Sequence, residues 1–271
     1  MVRQQTNSIQ QGGNKKRSKT VFFIAGLIVL VTLGCCIGYY VYLQETVEQP
    51  QVEQQSLLPA SSGTVADTPE PARVKNPIDF TALHETNPDI YAWINVPGTT
   101  IDYPICQDPN NESFYLDHGI EGNYSGPGAI YTEWVNNKVF TDPVTLVYGH
   151  AGYTDIMFDT LHYFNDAEFF AAHEYFTIYT PGHILTYRIV SSYTYDNRHI
   201  INTHDFAKEE VLMEYYDFVT DPTSMSKNVR EGVVLTQNDR IVQLSTCMQN
   251  LLLTSNRYIV TGQLVEDQLT Y

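Results

Sequence analysis

The sequence is short of the residues that several common chemistries need. Its 271 residues include four cysteines, and two of these, Cys35 and Cys36, fall inside an apolar run. Only Cys106 and Cys247 are left for the rest of the chain. A secreted fold stapled by disulfides normally carries several pairs, so a disulfide framework is excluded, and the one bridge that could form, 106–247, is not expected. There is no HExxH and no CxxC, and the eight histidines (84, 118, 150, 162, 173, 183, 199 and 204) are scattered. The many carboxylates follow no calcium-loop spacing, so neither a metal nor another cofactor is expected. Phosphate-binding loops and GxSxG are absent. A carboxylate pair for glycoside cleavage stays open, because such pairs meet only in space.

Basic charge is scarce as well. Arg3, Lys15, Lys16, Arg17 and Lys19 account for five of the 15 basic residues, so the chain beyond them has 10 basic against 31 acidic residues, net −21. Nucleic-acid binding needs basic surface and is not expected. Those five residues precede the only long apolar run, VFFIAGLIVLVTLGCCIGYYVYL at 21–43, and no acidic residue appears before Glu45. As a helix the run would span roughly 34 Å, enough to cross a bilayer. It ends in bulky Tyr39-Tyr40-Val41-Tyr42-Leu43 rather than a small-residue cleavage site, so it reads as an uncleaved anchor and not as a signal peptide. The basic flank then puts 1–20 in the cytoplasm and the remainder on the extracellular face of the cell membrane, as a single-pass protein. Residues 44–75, rich in Gln, Glu, Pro, Ser and Thr, read as a flexible stalk. Residues 76–271 are long enough for one folded domain.

In that domain Asn76-Pro77 is expected to open a short helix and Asn87-Pro88 to stop it. The pattern then turns to β. IYAWINV, AIYTEWV, VTLVYG, YFTIYT, HILTYRIV, IVQLS and RYIVTGQLV are short runs of β-branched and aromatic residues, with a hairpin turn at Pro181-Gly182. Two helical stretches interrupt: one around Met157, Phe158, Leu161 and Phe164, and one carrying Val211, Leu212, Tyr215, Phe218 and Val219, capped by Thr203 or Asp205. The expected fold is a mainly β, closed barrel with helical additions. The twenty tyrosines read as half-buried strand residues, not as a ligand surface.

With metals, phosphate loops and serine elbows gone, the thiols are left. A cysteine nucleophile needs a partner that accepts and returns a proton, usually histidine. His150 has the best setting, as the first polar group past the strand that ends in Tyr148-Gly149. For His118, His162, His173 and His183 a surface-loop role is expected. Arg257 opens the strand after Cys247. If adjacent antiparallel strands carry the two, both side chains reach one face, and the guanidinium can donate to a developing oxyanion. Alone, either residue would pass for an ordinary surface group.

Taken together, the apolar anchor, stalk, β-rich domain, YGH, and QLSTC (243–247) followed by Arg257 resemble the sortases, the Gram-positive cysteine transpeptidases. Class B is indicated by the serine in LSTC, by IDFTALHETNPDIYAWINVPGTTIDYPI, by YGHxxxxxxMFDxL, and by the 205–219 helix between late strands. The resemblance covers 76–271 and implies a closed eight-stranded barrel with an N-terminal helix and a helix inserted between late strands. It implies Cys247 as nucleophile, His150 as general acid/base and Arg257 as oxyanion ligand. It further implies a peptide groove near Leu116 (in Phe114-Tyr115-Leu116), Ile200, Ile201, Ser245 and Thr246. The implied substrates are surface proteins or pilins with a C-terminal sorting motif, and the implied acceptor is an amine of peptidoglycan precursor or a pilin lysine. Two positions leave the family pattern. Gln243 replaces the first threonine of TLxTC, with little effect expected, and Gln249 stands where some members have an acid. The rival readings are a cell-wall cysteine peptidase, whose families usually place Cys before His, and a non-catalytic stalked surface-binding domain.

Overall fold

The computed structural model describes residues 72–247 and 256–271. Segment 1–20, the apolar run 21–43, most of the 44–75 stretch and Gln249 lie outside them. Among the described residues no helix is long and apolar enough to cross a membrane. Val74 is already tied to the domain: its N–H donates to the Leu269 carbonyl and its carbonyl accepts from the Tyr271 N–H.

Among the described residues nine strands form: β1 (Ile90–Asn95), β2 (Asp102–Cys106), β3 (Ile130–Tyr131), β4 (Val144–Tyr148), β5 (Tyr175–Thr180), β6 (His183–Tyr195), β7 (Lys227–Val229), β8 (Ile241–Cys247) and β9 (Arg257–Leu269). Their neighbour order is β5-β1-β2-β3-β4-β8-β9-β6, and the β5–β6 pairing closes the ring. The result is the expected eight-stranded barrel, with β7 appended to β6 outside it. The β5–β6 hairpin turns at Pro181-Gly182, where Gly182 takes a φ of +94° that a side chain would resist.

Alternation along the strands sorts side chains between two faces. Val147 of β4, Val242 and Leu244 of β8, and Tyr258 and Val260 of β9 face the barrel interior with Ile94, Ile105, Phe176 and Tyr187. The intervening residues Val144, Leu146, Ile241 and Ile259 point outward with Tyr193. They are covered by a helix in the long excursion after β6. That excursion contains α3 (Ile200–Thr203) and α4 (Glu209–Thr220); α1 (Phe80–Thr86) and α2 (Ala167–Ala172) precede them. In α4 the buried residues are Leu212, Tyr215, Tyr216 and Val219, an i, i+3, i+4, i+7 stripe. Burying side chains of this size stabilises the fold by roughly 1.5–3 kcal/mol each.

The local expectations are corrected in several places. The first helix starts at Phe80, capped by Asp79, whose carboxylate accepts from Ala82 N–H, and not at Asn76-Pro77. Asn76 instead donates to the Thr180 carbonyl and to Thr270 Oγ1, fastening the chain to the β5 end. The Met157–Phe164 stretch winds as a 3-10 helix over Asp159–Asn165, with Phe158, Leu161 and Phe164 fully buried. Neither Thr203 nor Asp205 caps α4. Its N-cap is Lys208, and Glu209 and Glu210 fill its first turn, where carboxylates face the positive end of the helix dipole.

Gln243 has a larger role than expected. It is fully buried between β8 and α4. Its amide oxygen accepts from the Tyr215 hydroxyl (2.8 Å), and its amide nitrogen donates to Tyr193 Oη (2.9 Å) and Thr261 Oγ1 (3.1 Å). Gln243 therefore joins the inserted helix to three barrel strands. Gln243→Leu would strand those hydroxyls in an apolar layer at a cost of about 2–3 kcal/mol. For a domain of this size that corresponds to a melting temperature lower by about 5–10 °C. Thermal denaturation measures it, and an unchanged Tm would remove this role.

Candidate active site

β8 lies between two partners of opposite sense. It pairs parallel with β4, in a register ending at Tyr148↔Ser245, and antiparallel with β9, in a register ending at Cys247↔Arg257. The β4 pairing continues one step further, since Gly149 N–H donates to the Ser245 carbonyl. Two residues beyond the Tyr148↔Ser245 pair stand His150 and Cys247. The parallel register thus carries the histidine to the level of the cysteine, and the antiparallel register puts Arg257 opposite it. Gly149 is required by space: a Cβ there would come within 2.5 Å of Ile130 Cδ1 and 2.7 Å of the Phe158 ring.

Cys247, His150 and Arg257 border one outward-facing cavity of about 240 Å³, together with Leu116, Ile200 and Ser245. Arg257 Nη1 donates to Cys247 Sγ at 2.8 Å, a charge-assisted contact from a group that stays cationic. His150 Nε2 donates to the Leu116 carbonyl at 2.7 Å, which fixes its neutral tautomer and leaves Nδ1 as the basic nitrogen. The ring stands edge-on to Tyr153. Cys247 and Cys106 are both free thiols. Cys106 is fully buried, packed with Ile90, Tyr115 and Tyr131, and burial pushes its thiol up to about 12.

Two residues expected at the groove lie elsewhere. Thr246 is 1% exposed and, one residue out of phase with Ser245 and Cys247, is absent from the cavity wall. Ile201 packs half-buried against the cluster beneath α4. In their place the wall includes groups that the sequence reading passed over: Glu133, Tyr148, Tyr131 and His199. Glu133 Oε2 accepts from His199 Nε2 at 2.5 Å and from the Tyr148 hydroxyl at 3.3 Å. His199 Nδ1 accepts from Asn202 N–H and so caps α3. Tyr148 stacks on Tyr131. Burial, reinforced by the Glu133 carboxylate, pushes the Tyr131 phenol up to about 12 and the Tyr148 phenol higher still, so both stay neutral. The lone acid in AIYTEWV was the available signal for Glu133.

His162 was expected on a surface loop and is instead buried, at 8% exposure. Its Nε2 donates to the Cys247 carbonyl at 3.0 Å, and its ring stacks on Tyr258 with centroids 4.8 Å apart. Burial holds its pKa below the ordinary histidine value, despite that carbonyl and Asp159.

Comparison with known proteins agrees with this geometry. The Sortase domain family model matches residues 94–265. Sortase B of Listeria monocytogenes is 29% identical over 189 residues, covering 68% of this chain and 72% of that protein. The crystal structure of Clostridium perfringens sortase B superposes with a TM-score of 0.62 at 31% identity, covering 69% of this chain and all of that one. A Streptococcus pyogenes class B sortase involved in pilus biogenesis gives 0.59 at 31% identity, covering 69% and 98%. With a matching barrel and a cysteine, arginine and histidine at one cavity, this chain belongs to the sortase family of cysteine transpeptidases, on its class B branch.

Proposed function

We propose that Cys247 is the nucleophile, His150 the general acid/base and Arg257 the oxyanion ligand of a transpeptidation on the C-terminal sorting motif of surface proteins or pilins. The observation that carries this reading is the Arg257 Nη1–Cys247 Sγ contact of 2.8 Å in a cavity that His150 also borders. In the first half-reaction the Cys247 thiolate attacks the carbonyl carbon of the scissile peptide bond. Arg257 donates to the resulting oxyanion. His150, as imidazolium, protonates the departing amine, and a thioacyl-enzyme is left. An acceptor amine then attacks the thioester, His150 takes up its proton, and the Cys247 thiolate is released. Leu116, Ser245 and Ile200 line the cavity where the peptide would lie. Thr246 would support the strand from its other face.

The acidic domain and the basic flank of the 21–43 run support a single-pass membrane protein with its N-terminus inside and this domain on the extracellular face. There the acceptor is an amine of the peptidoglycan precursor or a pilin lysine. The test incubates the protein with a library of sorting peptides, identifies the acyl adduct on Cys247 by mass, and then adds an amine. The expected result is a Cys247 adduct discharged into a ligated product. Release by water alone would favour the cell-wall peptidase reading, and absence of any Cys247 adduct would overturn the proposal.

A further inference from the structure

The stretch from Phe158 to His162 reaches the backbone of both reacting residues. Phe158 N–H donates to the His150 carbonyl at 2.9 Å, and four residues later His162 Nε2 donates to the Cys247 carbonyl at 3.0 Å. The second bond has a structural reason. Strand carbonyls alternate in direction, so the Ser245 and Cys247 carbonyls point the same way. The Ser245 carbonyl is met by Gly149 N–H, but the β4 chain then leaves the ladder at His150. A side-chain N–H takes the place of the missing strand for the Cys247 carbonyl.

The stretch is itself fastened. Asp159 accepts from Gly152 N–H (2.9 Å) and Asp155 N–H (3.2 Å), closing the loop after His150. At its far end the Phe164 carbonyl accepts from Ser192 Oγ and Asn228 Nδ2, on β6 and β7. The His162 ring lies against Tyr258, the neighbour of Arg257 on β9.

We infer that His162 is a positioning residue, which sets the reactive alignment of Cys247 against His150 and Arg257 by holding the nucleophile's carbonyl from the segment that also holds the His150 carbonyl. Its burial disfavours the charged ring, its Nε2–H is committed to the Cys247 carbonyl, and it does not border the cavity, so the role assigned to it is positional. The inference rests on the assignment of Cys247 and His150 made above.

The test is kinetic and uses the full chain. His162→Phe keeps a ring against Tyr258 and removes the donor, whereas His162→Gln retains an N–H. Rates are normalised to the folded fraction of each variant, read from its thermal unfolding curve. His162→Phe should lower kcat for peptide cleavage about tenfold with KM nearly unchanged, and His162→Gln should recover most of the loss. If the phenylalanine variant folds poorly, His162→Leu carries the same measurement. Wild-type kcat in the folded fraction, a loss confined to KM, or an equal loss in His162→Gln would each overturn the inference. An active Cys247→Ala enzyme would instead overturn the assignment on which it rests.

Discussion

Cys247→Ala is expected to abolish cleavage and ligation, while Cys106→Ala leaves both within about twofold of the parent. The chain's two described thiols differ in every property that matters. Cys247 is half-buried at a cavity wall and accepts a hydrogen bond from a guanidinium. Cys106 is sealed among Ile90, Tyr115 and Tyr131, with its thiol pushed up to about 12. Reaction at sulfur requires the thiolate and an approach path, and only Cys247 borders the cavity. Among the described residues, no second thiol stands on that wall. The loss should therefore approach that seen when a nucleophile is deleted from other covalent hydrolases, on the order of a million-fold. Chromatographic detection of cleaved peptide measures it. A Cys247→Ala protein that turned over at a tenth of the parent rate would end the assignment.

The second large effect is at Arg257. Its side chain meets the sulfur at 2.8 Å, and under the proposed mechanism the same planar donors would follow the charge as it moves from sulfur to the substrate oxygen. Losing one oxyanion donor typically costs about 10²–10³ in kcat. We expect Arg257→Ala to fall in or beyond that range, because a full charge leaves with the donor. Arg257→Lys should recover little. An ammonium on a flexible stem cannot present two parallel N–H groups, and the Cys247↔Arg257 register fixes where that stem begins. The effect belongs in kcat, with KM moving less. A lysine variant at parental kcat would show that charge alone suffices.

Much of the fold could be read from local pattern. Alternating β-branched and aromatic runs marked seven strands, and Pro181-Gly182 marked the hairpin that closes the ring. β2 was missed because Pro104 sits inside it, and β7 because three residues carry too little pattern. The stripe on α4 was visible, but its N-terminus was not, since a lysine at the cap carries no signal. The Cys247–Arg257 half of the site was legible because an antiparallel pair joined by one loop is a local object. His150 met them only through the parallel β4–β8 pairing, whose members are separated by almost a hundred residues and share no turn. Thr246 could have been placed correctly from the strand's period of two, which gives it the opposite face to Ser245 and Cys247. His162 and Gln243 were beyond reach, since their partners come from segments distant in sequence and hydrogen bonding leaves no periodicity.

The mixed pairing of β8 also bears on how the enzyme can be assayed as a refolded product. A one-residue slip against either neighbour would turn Thr246 outward and Cys247 inward, leaving a compact barrel with much the same strand content. Spectroscopic recovery after denaturation would count such chains as native. Specific activity would not, because a slip on the β4 side separates the thiol from the histidine and a slip on the β9 side separates it from the arginine. The ratio of the two recoveries therefore measures the fidelity of strand alignment, and turnover becomes a probe of how faithfully the barrel closes.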